Sequence, residues 1–234
     1  MTLVTTTPFR DAAAAVVGVP ARTQTYRNLL YLLLSFPLGL AYFVALSVGF
    51  SAGVGLALTV LGVPLVLATL AGATVLARVE AELANRLLGT EIPTEMTFGS
   101  GGVVDAVKRL VTDPGTWLDV VYLGVKFVLG VVSFTALVSL LSASVSLLAA
   151  PLTYSSAYTV GLHVGTVSVG PFESGRLVVD TFPEAVGAAV AGLALALASL
   201  HALNALARVS AKIAETLLGE HDVEASAVAA PDRN

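Results

Sequence analysis

Three histidines, His163, His201 and His221, are scattered with no spacing that would gather them round one metal ion, and no cysteine supplies a thiolate. No G-x-S-x-G, Walker A or H-E-x-x-H motif occurs, so no nucleophile, phosphate cradle or zinc pair is on offer. The side chains that remain fall into two groups. Lys126, His201 and Asn204 stand in long apolar stretches, where an ionisable or strongly polar group is expensive and marks a candidate site. His201, Asn204 and Arg208 share a helix face by spacing. If Lys126 joins His201 and Asn204, the three form an intramembrane polar patch able to hold a lipid headgroup or answer to protonation. The plainer reading has Lys126 snorkelling to the interface and Asn204 bonded to a neighbouring helix. His163, Glu173, Arg176 and Asp180 form the second group, candidate sensing residues of a segment read below as external. The plainer reading makes them solvated, with Arg176 paired to Asp180 four positions on.

The elements that carry these residues are apolar. Of 234 residues, 56% are hydrophobic and 12% charged, and the mean hydropathy is +0.87. That is about half the charged fraction of a soluble domain. Such a composition fits several spans of roughly 20 residues each, enough to cross ~30 Å of hydrocarbon. The net charge of −4 leaves no footprint for nucleic acid.

Much of the chain occurs twice. LLYLLLSFPLGLAYFVAL at 29–46 returns as VVYLGVKFVLGVVSFTAL at 120–137, and LARVEAELANRLLG at 76–89 returns as LARVSAKIAETLLG at 206–219. A repeat that keeps both ends of an apolar unit in order implies one membrane hairpin built twice. The expected fold is all-α: four transmembrane helices as two tandem hairpins, with spans near 29–50, 56–77, 120–150 and 185–206. The first turn is expected in the glycine-rich stretch 49–55, with Pro37 and Pro64 inside the two spans it joins. Arg78, Glu82 and Arg86 lie four apart and can pair along an amphipathic exit that stops at Gly89. Residues 103–111 read as a short amphipathic helix, lying in the headgroup layer or packed on other cytosolic segments. Asp113-Pro114 then caps the third span, with Trp117 where that span enters the membrane.

Between the first pair of motifs and the second the offset grows from 91 to 130, so the second copy holds 39 extra residues. Most of these are 152–183, where alternation through Tyr158, Val160, Leu162 and Val164 and a turn at 171–175 predict a small β segment. Ten basic residues (Arg10, Arg22, Arg27, Arg78, Arg86, Lys108, Arg109, Arg208, Lys212, Arg233) fall on one side of this scheme, against Arg176 on the other. The positive-inside bias makes both termini cytosolic and the β segment extracytoplasmic, in the cell membrane. The expected divisions are a cytosolic tail at 1–25, the membrane domain at 26–219 and a cytosolic tail at 220–234.

Tyr26-Arg27, Pro37-Leu38-Gly39, Gly62-Val63-Pro64-Leu65, the 76–89 exit, Asp113-Pro114-Gly115-Thr116-Trp117 and Asp180-Thr181-Phe182-Pro183-Glu184-Ala185 occur in that order. With these the chain resembles the putative sensor domain family of prokaryotic multi-pass membrane proteins over about 26–219. The resemblance implies a sensory membrane domain with no catalytic residues to carry over. With fifteen residues after Gly219, the expected form stands alone without a kinase domain, and output passes to another protein. The expected function is a non-enzymatic sensory or regulatory module, without cofactor or metal. Its expected partners are the lipid bilayer, a cytosolic signalling protein and a second copy of itself, a dimer being favoured. A small oligomeric transporter or channel is the alternative, disfavoured by the lack of acidic residues in the spans.

Overall fold

A computed structural model describes residues 18–94, 102–153 and 181–219. After a 3-10 turn at Val19–Ala21 come α1 (Thr23–Gly55), α2 (Gly62–Leu88), α3 (Val103–Thr112), α4 (Pro114–Leu148), α5 (Ala150–Thr153) and α6 (Phe182–Gly219). Four of them, α1, α2, α4 and α6, are long and apolar enough to cross a bilayer. The chain reads as a multi-pass membrane protein. At 33 residues α1 runs roughly 50 Å, well beyond the ~30 Å hydrocarbon layer, so its ends project or it tilts. α1 and α6 run past the expected spans at both ends, α2 runs past 77 and α4 starts before 120, because apolar composition marks only the lipid-embedded part of each; α2 starts later than expected, at 62, and α4 stops sooner, at 148.

Two corrections concern the first hairpin. The turn is not at 49–55, which is helical, but at 56–61, closed by Leu56 N–H to Ala52 O (2.9 Å) and Thr59 N–H to Leu56 O (2.8 Å). The glycine this turn requires is Gly62, where a Cβ would sit 2.6 Å from the Ala57 nitrogen. Gly49 and Gly53 instead let α1 lie close on α2: a Cβ at 49 would meet Thr69, and one at 53 would come 3.2 Å from the Val66 nitrogen. Pro64 stands not in the interior of its helix but third in α2, where its missing N–H belongs to a turn that has no intrahelical partner anyway. Pro37 does lie inside α1.

No strand occurs among the described residues. The alternating stretch expected to form the β segment lies outside them, as do the tails at 1–17 and 220–234. Of the margins of 152–183 that are described, Leu152 and Thr153 belong to α5, Thr181 is a bend, and Phe182 and Pro183 belong to α6. A capping box explains the start of α6, Thr181 N–H donating to Glu184 Oε2 (3.2 Å) and Glu184 N–H to Thr181 Oγ1 (3.5 Å).

The described residues form two compact units, one of 18–25, 135–153 and 181–204, the other of 26–94, 102–134 and 205–219. In the first, α4 and α6 approach so closely that a Cβ on Gly192 would stand 2.8 Å from the Leu148 nitrogen. Ser144 and Ser199 hydroxyls meet there at 3.5 Å, each buried. In the second, α1 and α4 cross through partners that exchange roles at an offset of 91. Phe36 stacks on Phe134 and Phe43 on Phe127, with ring centroids 4.9 and 4.6 Å apart. Gly39 faces the Lys126 carbonyl and Gly130 faces the Ser35 carbonyl, so each helix supplies the notch for the other. Tyr31 and Tyr122, equivalent in the same register, are both fully buried.

Candidate functional site

The site grows from one face of α2. Ala73, Ala77, Ala81 and Ala84 recur at helical spacing, all buried, and their small side chains let neighbouring helices come close. Glu80 is the charged residue of that face and has no solvent exposure. Glu82 and Arg86 turn away from it and pair in the open at 2.6 Å, as their four-residue spacing predicts. Gly89, in the left-handed region at φ 73°, ends the helix at the expected stop. Beyond it Asn85 pins the chain: its Nδ2 donates to Ile92 O (2.7 Å) and its Oδ1 accepts from Ile92 N–H (2.9 Å) and Thr90 Oγ1 (2.7 Å).

Three helices converge on the Glu80 carboxylate. From α4, Lys126, 1% exposed, forms an ion pair with Glu80 Oε1. From α1, Tyr31 donates its hydroxyl to Oε1 (2.9 Å) and Tyr42 donates to Oε2 (3.3 Å). Lys126 Nζ also donates to Tyr31 Oη (2.7 Å) and lies 3.8 Å from the centroid of that ring. Tyr122 is buried in the field of Tyr31 and Glu80, and its hydroxyl has no hydrogen-bond partner among the described residues. A carboxylate and an ammonium removed from water are tolerable when each neutralises the other and the spare lone pairs are used. Here both oxygens are occupied and the pair is closed on three helices.

Of the sequence-derived candidates, Lys126 and Asn204 each have partners within their own unit. Lys126 takes Glu80 and Tyr31 as partners in one unit. In the other, Asn204 Nδ2 donates to Thr25 Oγ1 (3.2 Å), which itself donates to Val19 O (3.0 Å). That ties the start of α1 to α6. His201 is exposed. His163, Glu173, Arg176 and Asp180 lie outside the described residues. Among the described residues no three metal-ligating side chains converge.

Glu80, Tyr31 and Tyr42 escaped sequence reasoning, although a signal existed. In the repeat Lys126 corresponds to Ser35 and Glu80 to Ser210. Two charges of opposite sign, each set against a serine in the other copy, mark one ion pair present in a single version. Glu80 also stands out of register with Arg78, Glu82 and Arg86, among alanines.

This arrangement joins a carboxylate, an ammonium and two phenols. Its chemistry is cohesion: a charged clasp among α1, α2 and α4. A groove of about 300 Å³ lined by residues such as Ala45, Leu65, Thr69, Gly72 and Leu76 is apolar, and Thr69 spends its hydroxyl on Leu65 O (2.8 Å).

No curated protein and no solved structure matches the chain. A family model does, over residues 31–218, which takes in the clasp, α2 and α4 whole and most of α1 and α6. The chain belongs to the family described as Putative sensor.

Proposed function

We propose that the chain is a non-enzymatic sensory module of the cell membrane, built from one helical hairpin used twice. Both termini and residues 89–102 face the cytosol, and 154–180 lies outside. A stimulus received there or in the bilayer shifts α4 and α6, and the exits of α2 and α6 pass the shift to a cytosolic protein. The module works as a homodimer in this reading.

The observation that carries the proposal is the family match across four apolar helices, three of which meet on one buried carboxylate. A clasp of that kind couples the helices, so displacing α4 alters what Glu80 holds and hence the set of α2. Such a device needs two arrangements separated by a few kcal/mol and a stimulus that distinguishes them. The two exits carry equivalent exposed valines, Val79 and Val209, 130 residues apart. These are natural points of contact for a partner.

The test places a photocrosslinking amino acid at Val79 or Val209 in the full chain in living cells. The expected result is an adduct with the same cytosolic protein from both positions. Adducts with lipid alone from both would contradict the proposal.

A further inference from the structure

The short helix α3 has an unusual set of neighbours. At roughly 100° per residue, Ala106, Leu110, Val107, Val111 and Val104 fill one continuous arc of its circumference. Lys108 borders that arc beside Val104, Arg109 borders it beside Ala106, and Asp105 and Thr112 take the centre of the polar side. Val107 and Leu110 are half-buried and α3 packs on α2, so part of the apolar arc has its cover. The rest does not: Val104 is 80% exposed and Val111 42%.

Two contacts fix the depth of this uncovered edge. Asp113 alone separates α3 from α4, and its carboxylate accepts from Gly115 N–H (3.1 Å) in the first turn of α4. Trp117, in the same turn and 46% exposed, donates its indole N–H to the Val111 carbonyl (3.0 Å). An indole at the start of a membrane-spanning helix belongs at the headgroup level, with its ring in the acyl boundary and its N–H toward polar groups. Here the polar group is the last turn of α3 itself, so that turn shares the depth of the indole.

We propose that α3 is a membrane-surface helix, docked on the lipid headgroup layer through Val104, Val111 and Trp117. Lys108, beside the exposed valines, lays its alkyl stem along the acyl boundary and its ammonium on lipid phosphates. The helix thereby ties α2, on which it packs, to the bilayer surface. Anything that alters lipid packing or surface charge then reaches α2 through α3. This rests on α4 spanning the membrane, as the proposed function has it.

The absence of cysteine makes the test direct. Val104→Cys, Asp105→Cys, Val111→Cys and, as a marker of insertion, Val132→Cys on an exposed position of α4 are each made singly in the full chain. Each carries a nitroxide in vesicles of phosphatidylcholine and phosphatidylglycerol, and its accessibility to oxygen is compared with that to a water-soluble nickel chelate. The expected oxygen-to-nickel ratio is several-fold higher at 104 and 111 than at 105, with 132 higher still. Ratios at 104 and 111 equal to that at 105 would put the valines in water and overturn the proposal. Low accessibility to both reagents at 104 and 111 would show a protein covering them and overturn it equally. A low ratio at 132 would instead remove α4 from the membrane, a failure of the underlying reading rather than of α3 alone.

Discussion

Substituting Lys126 by methionine would leave the Glu80 carboxylate with two phenols and no countercharge, in a place with no solvent exposure. Breaking a buried pair from one side costs about 3–5 kcal/mol, whereas replacing both charges by neutral groups of similar size is far milder. Lys126→Met is therefore expected to lower the unfolding midpoint in detergent sharply, and adding Glu80→Gln to recover most of the loss. Additive losses from the two changes would show that the charges do not act as a pair. Tyr42→Phe removes only the longer of the two phenol bonds, at 3.3 Å, and should cost about 1–2 kcal/mol. Lys126 was legible in the sequence because it interrupts an apolar run. Glu80 was not, because charges following an apolar run read as a solvated exit, and only its place among alanines sets it apart.

At the scale of elements, small residues decide how near the helices come. A Cβ on Gly39 would stand 2.9 Å from both the Lys126 oxygen and the Phe127 Cα, and one on Gly130 would press on the Ser35 carbonyl. Backbone cannot swing aside as a side chain can, so Gly39→Ala and Gly130→Ala are each expected to cost about 1–3 kcal/mol. Gly124→Ala meets nothing within 4 Å and should be neutral or stabilising by up to about 1 kcal/mol, since alanine is the better helix former. Unfolding of the three variants in the same detergent checks the contrast. Equal effects at 39 and 124 would refute close packing as the role of Gly39. The same distinction explains why the first turn was misplaced in sequence. Glycines 49, 53 and 55 suggested a reversal, yet in membrane helices glycine as often marks contact, and the turn itself is made of Leu56, Ala57, Leu58, Thr59, Val60 and Leu61. The Gly89 stop and the Asp113 cap were legible because each depends on local backbone chemistry alone.

At the scale of the whole molecule, the motifs that recur in the sequence carry a consequence of their own. The serines at 35 and 210 occupy the positions equivalent to Lys126 and Glu80, and Tyr122 is the equivalent of Tyr31. In a Lys126→Ser, Glu80→Ser background, Ser35→Lys with Ser210→Glu should therefore rebuild a clasp beside Tyr122 and raise the unfolding midpoint. Recovery should be partial, because Ser133 stands where a second phenol, the equivalent of Tyr42, would be needed. No gain over the background would mean that the halves are not equivalent at this level. Four spans and their order were readable from the repeat, since it records the apolar periodicity twice; the expected β segment, from the alternation at 158–169, lies outside the described residues. Orientation is where the functional proposal is most exposed. Glu91→Cys, Ser168→Cys and Asn234→Cys, each the sole cysteine in the chain, can be probed in intact cells with a membrane-impermeant maleimide. The prediction is labelling at 168 in intact cells, and at 91 and 234 only after permeabilisation. Labelling of 91 and 168 from the same side would contradict two hairpins in one membrane, and with them the route from an outer stimulus to a cytosolic partner.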